Sequence, residues 1–313
     1  MSIEACLPPD LRGPTTTITK VSAGLSGAGV YRVDAAGQAF VLKISDESQP
    51  VADWRRTLHI RHCAADAGLS PRIVHADEAR RAVVSEFVVD RSFPAFYRNP
   101  GTHEAALALL GRTLRRVHEL PLPPDAVSKD QQAFLQDIWS GLTNDFAVPG
   151  FAADAVRRML VEEPPASERA VVLSHNDVNP TNLIFDGENI LLLDWETAAP
   201  NDPFFDLAAV SVFLRMDEET CGKLLAAHDG ESVSRLPDRF TYDRRFAAVL
   251  CGALFLHLAR QRGHAGATGD ETIESTPWLG DFYKRLMSGA LRIDSAEGQW
   301  WFGLALLKEG VSR

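Results

Sequence analysis

Short apolar runs of strand length fill the first third of the chain, and helical periodicity takes over afterwards. Residues 18–21 and 30–33 read as strands, and a third, Ala39-Phe40-Val41-Leu42-Lys43-Ile44, follows the turn dipeptide Ala36-Gly37. Residues 51–67 read as one helix, which Gly68 and Pro71 end. From about residue 89 the spacing is helical. The first such segment is 104–118, with an apolar face drawn through Ala105, Leu109, Leu110 and Leu114, and 131–142 and 152–163 follow. Two β-rich runs, 183–185 and 190–193, interrupt the helices on either side of the turn signal Asp186-Gly187. Further helices are predicted over 205–216, 218–228, 242–262 and 278–287, with a loop rich in Gly, Thr and Glu over 263–276. The pattern predicts an α+β chain with a small strand-rich lobe over residues 1–88 and a larger, mostly helical lobe over 89–313. It contains no internal repeat.

The second pair of runs matters for what flanks it. The stretch reads LSHNDVNPTNLIFDGENILLLDWE from Leu173 to Glu196. If the two runs pair antiparallel about Asp186-Gly187, Asn182 and Asp194 lie nearly equidistant from the turn and end side by side. Both offer oxygen, which a hard cation such as Mg²⁺ prefers. Asp177 precedes them on a loop that follows the apolar run 171–173. Three oxygen-bearing side chains wired this way can position a substrate hydroxyl and a metal nucleotide together.

Composition narrows the alternatives. A chain of 313 residues, 45% hydrophobic and 24% charged, can bury a large core. Against 42 acidic residues stand 32 basic ones, giving a net charge of −10, and no basic run appears. That argues against nucleic-acid binding. The longest apolar run, 246–259, is broken by His257 and falls short of the ~20 residues a membrane span needs. The first residues have neither a basic start nor an apolar segment, and the four cysteines have no C-x-x-C pair. A cytoplasmic protein without a zinc site is expected.

The stretch from His175 to Asp194 resembles the catalytic region of the aminoglycoside phosphotransferase and choline kinase superfamily, whose motif is H-x-D-x-x-x-x-N, a hydrophobic hairpin, then aspartate. Here these are His175, Asp177, Asn182 and Asp194. Trp195-Glu196, Asp202-Pro203 and Asp206-Leu207-Ala208 look most like the bacterial choline and thiamine kinase branch. The resemblance covers roughly residues 18–215 and implies a two-lobed protein-kinase-like fold. It also implies an ATP- and Mg²⁺-dependent phosphotransferase acting on a hydroxyl of a small, amine-bearing molecule. Asp177 would orient or accept the hydroxyl proton, and Asn182 and Asp194 would hold the metal. The glycine loop, with Gly24, Ser26, Gly27 and Gly29, and the strand lysine Lys43 would bind phosphates, and Glu86 and Val88 would lend backbone groups to adenine. His175 and Asp206 would support the catalytic loop, and His118 would end the Leu-x-x-x-His-x-Leu-Pro helix. Trp195 and Glu196 are candidate contacts to a cationic acceptor.

One departure stands out. In this fold the lysine pairs with a glutamate on the first long helix, but the matching position here is Thr57, and no glutamate lies between Gln49 and Asp77. Asp53, one turn earlier, is the candidate substitute. Lys43 is therefore expected to be loosely held without nucleotide. Two rival readings follow: an aminoglycoside or other antibiotic kinase, and a nucleotide-binding pseudokinase that regulates a partner.

Overall fold

The structure is a computed structural model that describes residues 2–21, 29–46 and 48–312. The fold is mixed α+β, with an antiparallel five-stranded N-terminal sheet and a helical C-terminal part. The chain divides into two compact units. One comprises Met1–Ala126, Val172–Ala199 and Ala227–Asp229; the other comprises Val127–Val171, Pro200–Ala226 and Gly230–Arg313.

The first unit is built on strands β1 (Thr17–Lys20), β2 (Gly29–Ala35), β3 (Gln38–Ile44), β4 (Ile73–Asp77) and β5 (Ala82–Glu86), in the order β1-β2-β3-β5-β4. The β2–β3 hairpin closes from Ala35 to Gln38 over Ala36 (φ 51°) and Gly37 (φ 76°). Two consecutive left-handed residues match the twist of the flanking strands, which is why the Ala36-Gly37 dipeptide works as a turn. The pleat then sends successive side chains to opposite faces. Phe40 and Leu42 join Cys6, Leu7, Val33 and Val84 in the core, and Lys43 faces the other way. Helix α1 (Val51–Asp66) ends at Gly68, whose φ is 68°. Strand β4 was not evident in the hydrophobic pattern. Its residues are all half-buried, so they show no two-sided alternation.

Helices α2 (Phe93–Arg98) and α3 (His103–His118) follow. The buried side of α3 runs through Leu107, Leu110, Leu114 and Val117, not through Ala105 and Leu109. Strands β6 (Val172–Ser174), β7 (Leu183–Phe185) and β8 (Ile190–Leu192) complete this unit, with β7 and β8 paired antiparallel.

The second unit is helical: α4 (Gln131–Thr143), α5 (Gly150–Val161), α6 (Phe204–Phe213), most of α7 (Glu218–Asp229), α8 (Asp238–Gln261), α9 (Leu279–Met287) and α10 (Ala296–Ser312). Its core gathers Leu135, Val156, Phe205, Phe246, Leu256, Trp300 and Leu304. Helix α10, absent from the sequence expectation, packs along α8, and its residues 298–300 and 302–310 are all buried. Among the described residues no helix is long and apolar enough to cross a membrane.

Candidate active site

The loop between β6 and β7 carries His175, Asp177 and Asn182. His175 is fully buried, and its Nε2–H donates to the Leu193 carbonyl at 2.8 Å. A carbonyl only accepts, so this bond assigns the proton to Nε2. The imidazole also packs edge-on to Trp195 at 4.7 Å. Asn176 takes a left-handed conformation (φ 61°), which asparagine tolerates better than most residues. Its Nδ2 lies within hydrogen-bond distance of the Thr197 and Ala199 carbonyls, and Thr197 Oγ1 donates to the His175 carbonyl at 2.9 Å. The loop is therefore stitched to the segment after β8.

Asp177 is half-buried and oriented on both oxygens. Oδ1 accepts from Asn179 Nδ2 at 2.9 Å, and Oδ2 accepts from Asn182 Nδ2 at 2.7 Å. Asn182 also donates to the Asp177 carbonyl at 3.0 Å. With its amide nitrogen turned to Asp177, Asn182 keeps Oδ1 as an acceptor for a cation.

The hairpin register pairs Leu183 with Leu192 and Phe185 with Ile190, and the Leu193 N–H donates to the Asn182 carbonyl at 2.9 Å. Asn182 thus stands opposite Leu193, and Asp194 falls one residue beyond. Asp194 is itself left-handed (φ 67°, ψ 61°), and the chain turns there into a short 3₁₀ segment, Trp195–Thr197. Such a conformation costs a non-glycine residue about 1–3 kcal/mol and is found where function requires it.

Lys43 Nζ pairs with Asp194 Oδ1 and with Glu196 Oε1. The lysine side chain is only 15% exposed, so the expectation of a loosely held Lys43 is corrected: two carboxylates hold it. Asp53 is not its partner, because Asp53 Oδ1 accepts from Arg56 Nη1 at 2.8 Å. Burial works to raise the Asp194 carboxyl, but Lys43 and the bond with Glu196 outweigh it and hold the group below its ordinary value. Glu196 goes the other way. Burial raises it, Asp194 adds to the rise, and Lys43 opposes. A residue that sequence reasoning missed also belongs here. Arg61 of α1 lies near enough to feel both Glu196 and Asp194, while burial pushes its guanidinium below its ordinary value. The only sequence signal for it was its spacing, one and two helical turns after Thr57 and Asp53.

The remaining expected residues are dispersed. Gly24, Ser26 and Gly27 lie outside the described residues, and Gly29 opens β2 opposite Ile44. Glu86 ends β5, its carboxylate bound by Arg72 at 3.0 Å, and the next N–H, that of Phe87, donates to Ala39. Val88 follows outside any helix or strand. Asp206 is fully buried on α6, in the second unit. Trp195 is corrected from a substrate contact to a core residue. It is 0% exposed and its Nε1–H donates to the Leu192 carbonyl at 3.0 Å, so neither ring face nor N–H is open to an acceptor.

A phosphotransferase enzyme family profile matches residues 17–242. No match is found among curated proteins. Among solved structures, a choline/ethanolamine kinase family protein from Mesorhizobium loti is 22% identical, with a TM-score of 0.63 over 98% of both chains. Choline kinase LicA from Streptococcus pneumoniae is 15% identical, with a TM-score of 0.62 over 87% of this chain and 92% of its own. Spectinomycin phosphotransferase APH(9)-Ia, solved with ADP and spectinomycin, is 13% identical, with a TM-score of 0.59 over 94% and 93%. At these identities the likeness is one of fold.

Proposed function

The chain belongs to the phosphotransferase enzyme family and is a small-molecule kinase, and from that premise we propose that it moves the γ-phosphate of ATP to a hydroxyl of a small, amine-bearing acceptor of the choline, ethanolamine or thiamine kind. The observation that carries this reading is that the loop and hairpin bearing Asp177, Asn182 and Asp194 meet Lys43 of β3, with Asn182 bonded to Asp177 and Asp194 paired with Lys43. Residues 1–88 would serve the nucleotide and residues 89–313 the chemistry and the acceptor.

The donor set fits Mg²⁺. This ion takes one or two carboxylates together with substrate phosphates and water, not a cage made wholly of protein. Asn182 Oδ1 and the Asp194 carboxylate are oxygen donors of that kind. Among the described residues no group of three His, Cys, Asp or Glu side chains is placed to hold a metal ion. Held by Asn182 Oδ1 and the Asp194 carboxylate, the ion would supply positive charge to offset the charge that builds up during transfer.

The protein's own groups would do the rest. Lys43 would hold phosphate oxygens. Asp177, fixed by Asn179 and Asn182, would accept a hydrogen bond from the acceptor hydroxyl and aim its oxygen, then take its proton. His175 would keep the loop at a fixed height through Leu193. Gly29, with Gly24, Ser26 and Gly27, would line the phosphates, and the Glu86 and Val88 backbone would meet the base. A cytoplasmic setting would supply the ATP.

The test is a turnover assay with Mg-ATP against a panel of choline, ethanolamine, thiamine, sugars, aminoglycosides and spectinomycin. Phosphorylation of an amine-bearing alcohol is the expected result. Transfer only to antibiotics would replace the acceptor class, and ATP binding without any transfer would favour the pseudokinase.

A further inference from the structure

Lys43 has two carboxylate partners, and neither comes from the helix that follows its strand. The α1 positions that share a face are Asp53, Thr57 and Arg61, spaced one turn apart. Asp53 is occupied by Arg56, Thr57 has no charge, and Arg61 carries the opposite sign from a glutamate. Helix α1 packs on the Trp195–Thr197 segment. The carboxylates that hold Lys43 come instead from the segment after β8. Glu196 Oε1 pairs with Lys43, and the Glu196 side chain is largely buried beside Asp194.

Resting on the phosphotransferase reading, we propose that Glu196 is the positioning residue for Lys43, in place of a helix carboxylate. Asp194 cannot fill this role in full. A carboxylate that coordinates a divalent ion gives up much of its pull on a neighbouring ammonium. Glu196, two residues further on, keeps Lys43 in place when Asp194 turns to the metal. The long lysine chain then loses its rotamer freedom before nucleotide arrives, which leaves less to be lost on binding.

The experiment measures ADP binding to the full chain by calorimetry, with Mg²⁺ and separately with EDTA. The proteins are the wild type, E196Q, K43A and K43A/E196Q, each checked for a folded thermal transition. E196Q is expected to weaken metal-free ADP binding about tenfold or more, as for loss of a charged hydrogen bond. In the K43A background the same change is expected to cost nothing further, because Glu196 acts only through the lysine. A loss that appears only with Mg²⁺ and persists without Lys43 would make Glu196 a metal residue and overturn the proposal, as would unchanged affinity in E196Q. If E196Q does not fold, E196D keeps the charge and withdraws it by one methylene, and the same outcomes decide. A wild type that binds no nucleotide overturns the functional reading as well; a wild type that binds it, with E196Q its equal, overturns this inference alone.

Discussion

Asn182 donates its side-chain N–H to Asp177 Oδ2 at 2.7 Å, so the residue proposed to hold the metal also aims the residue proposed to meet the acceptor. One amide serves both ends: its nitrogen orients a carboxylate, and its oxygen stays available for a cation. The coupling is local, since both residues lie on the loop between β6 and β7. It links the position of the metal to that of the base without a further element.

Asp177→Asn is expected to lower the rate of transfer by ~10² to 10⁴ while leaving nucleotide affinity close to that of the wild type. The amide keeps the size of the carboxylate but cannot accept the hydroxyl proton. It also sets its NH2 against the amide of either Asn179 or Asn182, so one of these two would have to turn. Steady-state rates together with ATP titration check this. A variant retaining most of its turnover would remove Asp177 from the chemistry.

Asp194→Ala is expected to abolish the Mg²⁺ dependence of ATP binding. Its carboxylate is the charged member of the proposed metal pair, and Lys43 keeps it ionised against burial. Removing it leaves Asn182 as the sole protein ligand and leaves Lys43 with Glu196 alone. ATP titrations with and without Mg²⁺ decide the point. The same metal dependence in both proteins would contradict the assignment.

The β7–β8 hairpin, the β2–β3 hairpin and α1 were legible because local rules specify them: a turn dipeptide between apolar runs, or a helix stopped by Gly68. The placement of Asp194 was legible only approximately, since no rule of spacing announces that the residue itself takes a left-handed turn. Helix α10 was not legible. It is apolar nearly all round and contains Gly298, Gly303 and Gly310, so it has neither a two-faced pattern nor strong helix propensity. The partner of Lys43 was misjudged for a different reason. A search for an anion on α1 cannot find one that arrives from the far side of the chain at Glu196, beside a helix whose own charge there is Arg61.

Asp243, on α8, predicts a pH dependence of stability. It is 2% exposed, and both its oxygens lie within 3.1 Å of Arg239 Nε. Burial nevertheless pushes its carboxyl from 3.8 up to about 7, against the pull of Arg239 and with a smaller push from Asp202. The folded protein therefore keeps a proton that the unfolded chain has already released. Its contribution to stability is complete below about 4 and declines as pH rises to about 7, then levels off. The gap between the two values bounds the effect at roughly 4 kcal/mol. The difference in stability between wild type and Asp243→Asn, followed by denaturant unfolding across this range, should fall with rising pH. A difference that rises instead would show that Arg239 wins over burial.

Gly252→Ala tests the crossing of α8 and α10. A Cβ at Gly252 would sit 2.7 Å from Leu307 Cγ and 2.9 Å from the Gly303 carbonyl oxygen, and one at Gly303 would sit 2.9 Å from the Gly252 carbonyl oxygen. The carbonyls are backbone and cannot rotate away, so the helices would have to separate across a core that includes Leu256, Leu304 and Leu307. Alanine in a helix interior is ordinarily better than glycine by ~1 kcal/mol. Here overpacking is expected to exceed that gain and leave a net loss of about 1–3 kcal/mol. Gly141 on α4 is the internal control, because nothing lies within 4 Å of a Cβ built there. Gly141→Ala should therefore show the propensity gain alone and stabilise by roughly 0.5–1 kcal/mol. Denaturant midpoints of the two variants should move in opposite directions from the wild type. If Gly252→Ala moved the same way as Gly141→Ala, the close approach of the two helices would not be what holds this core.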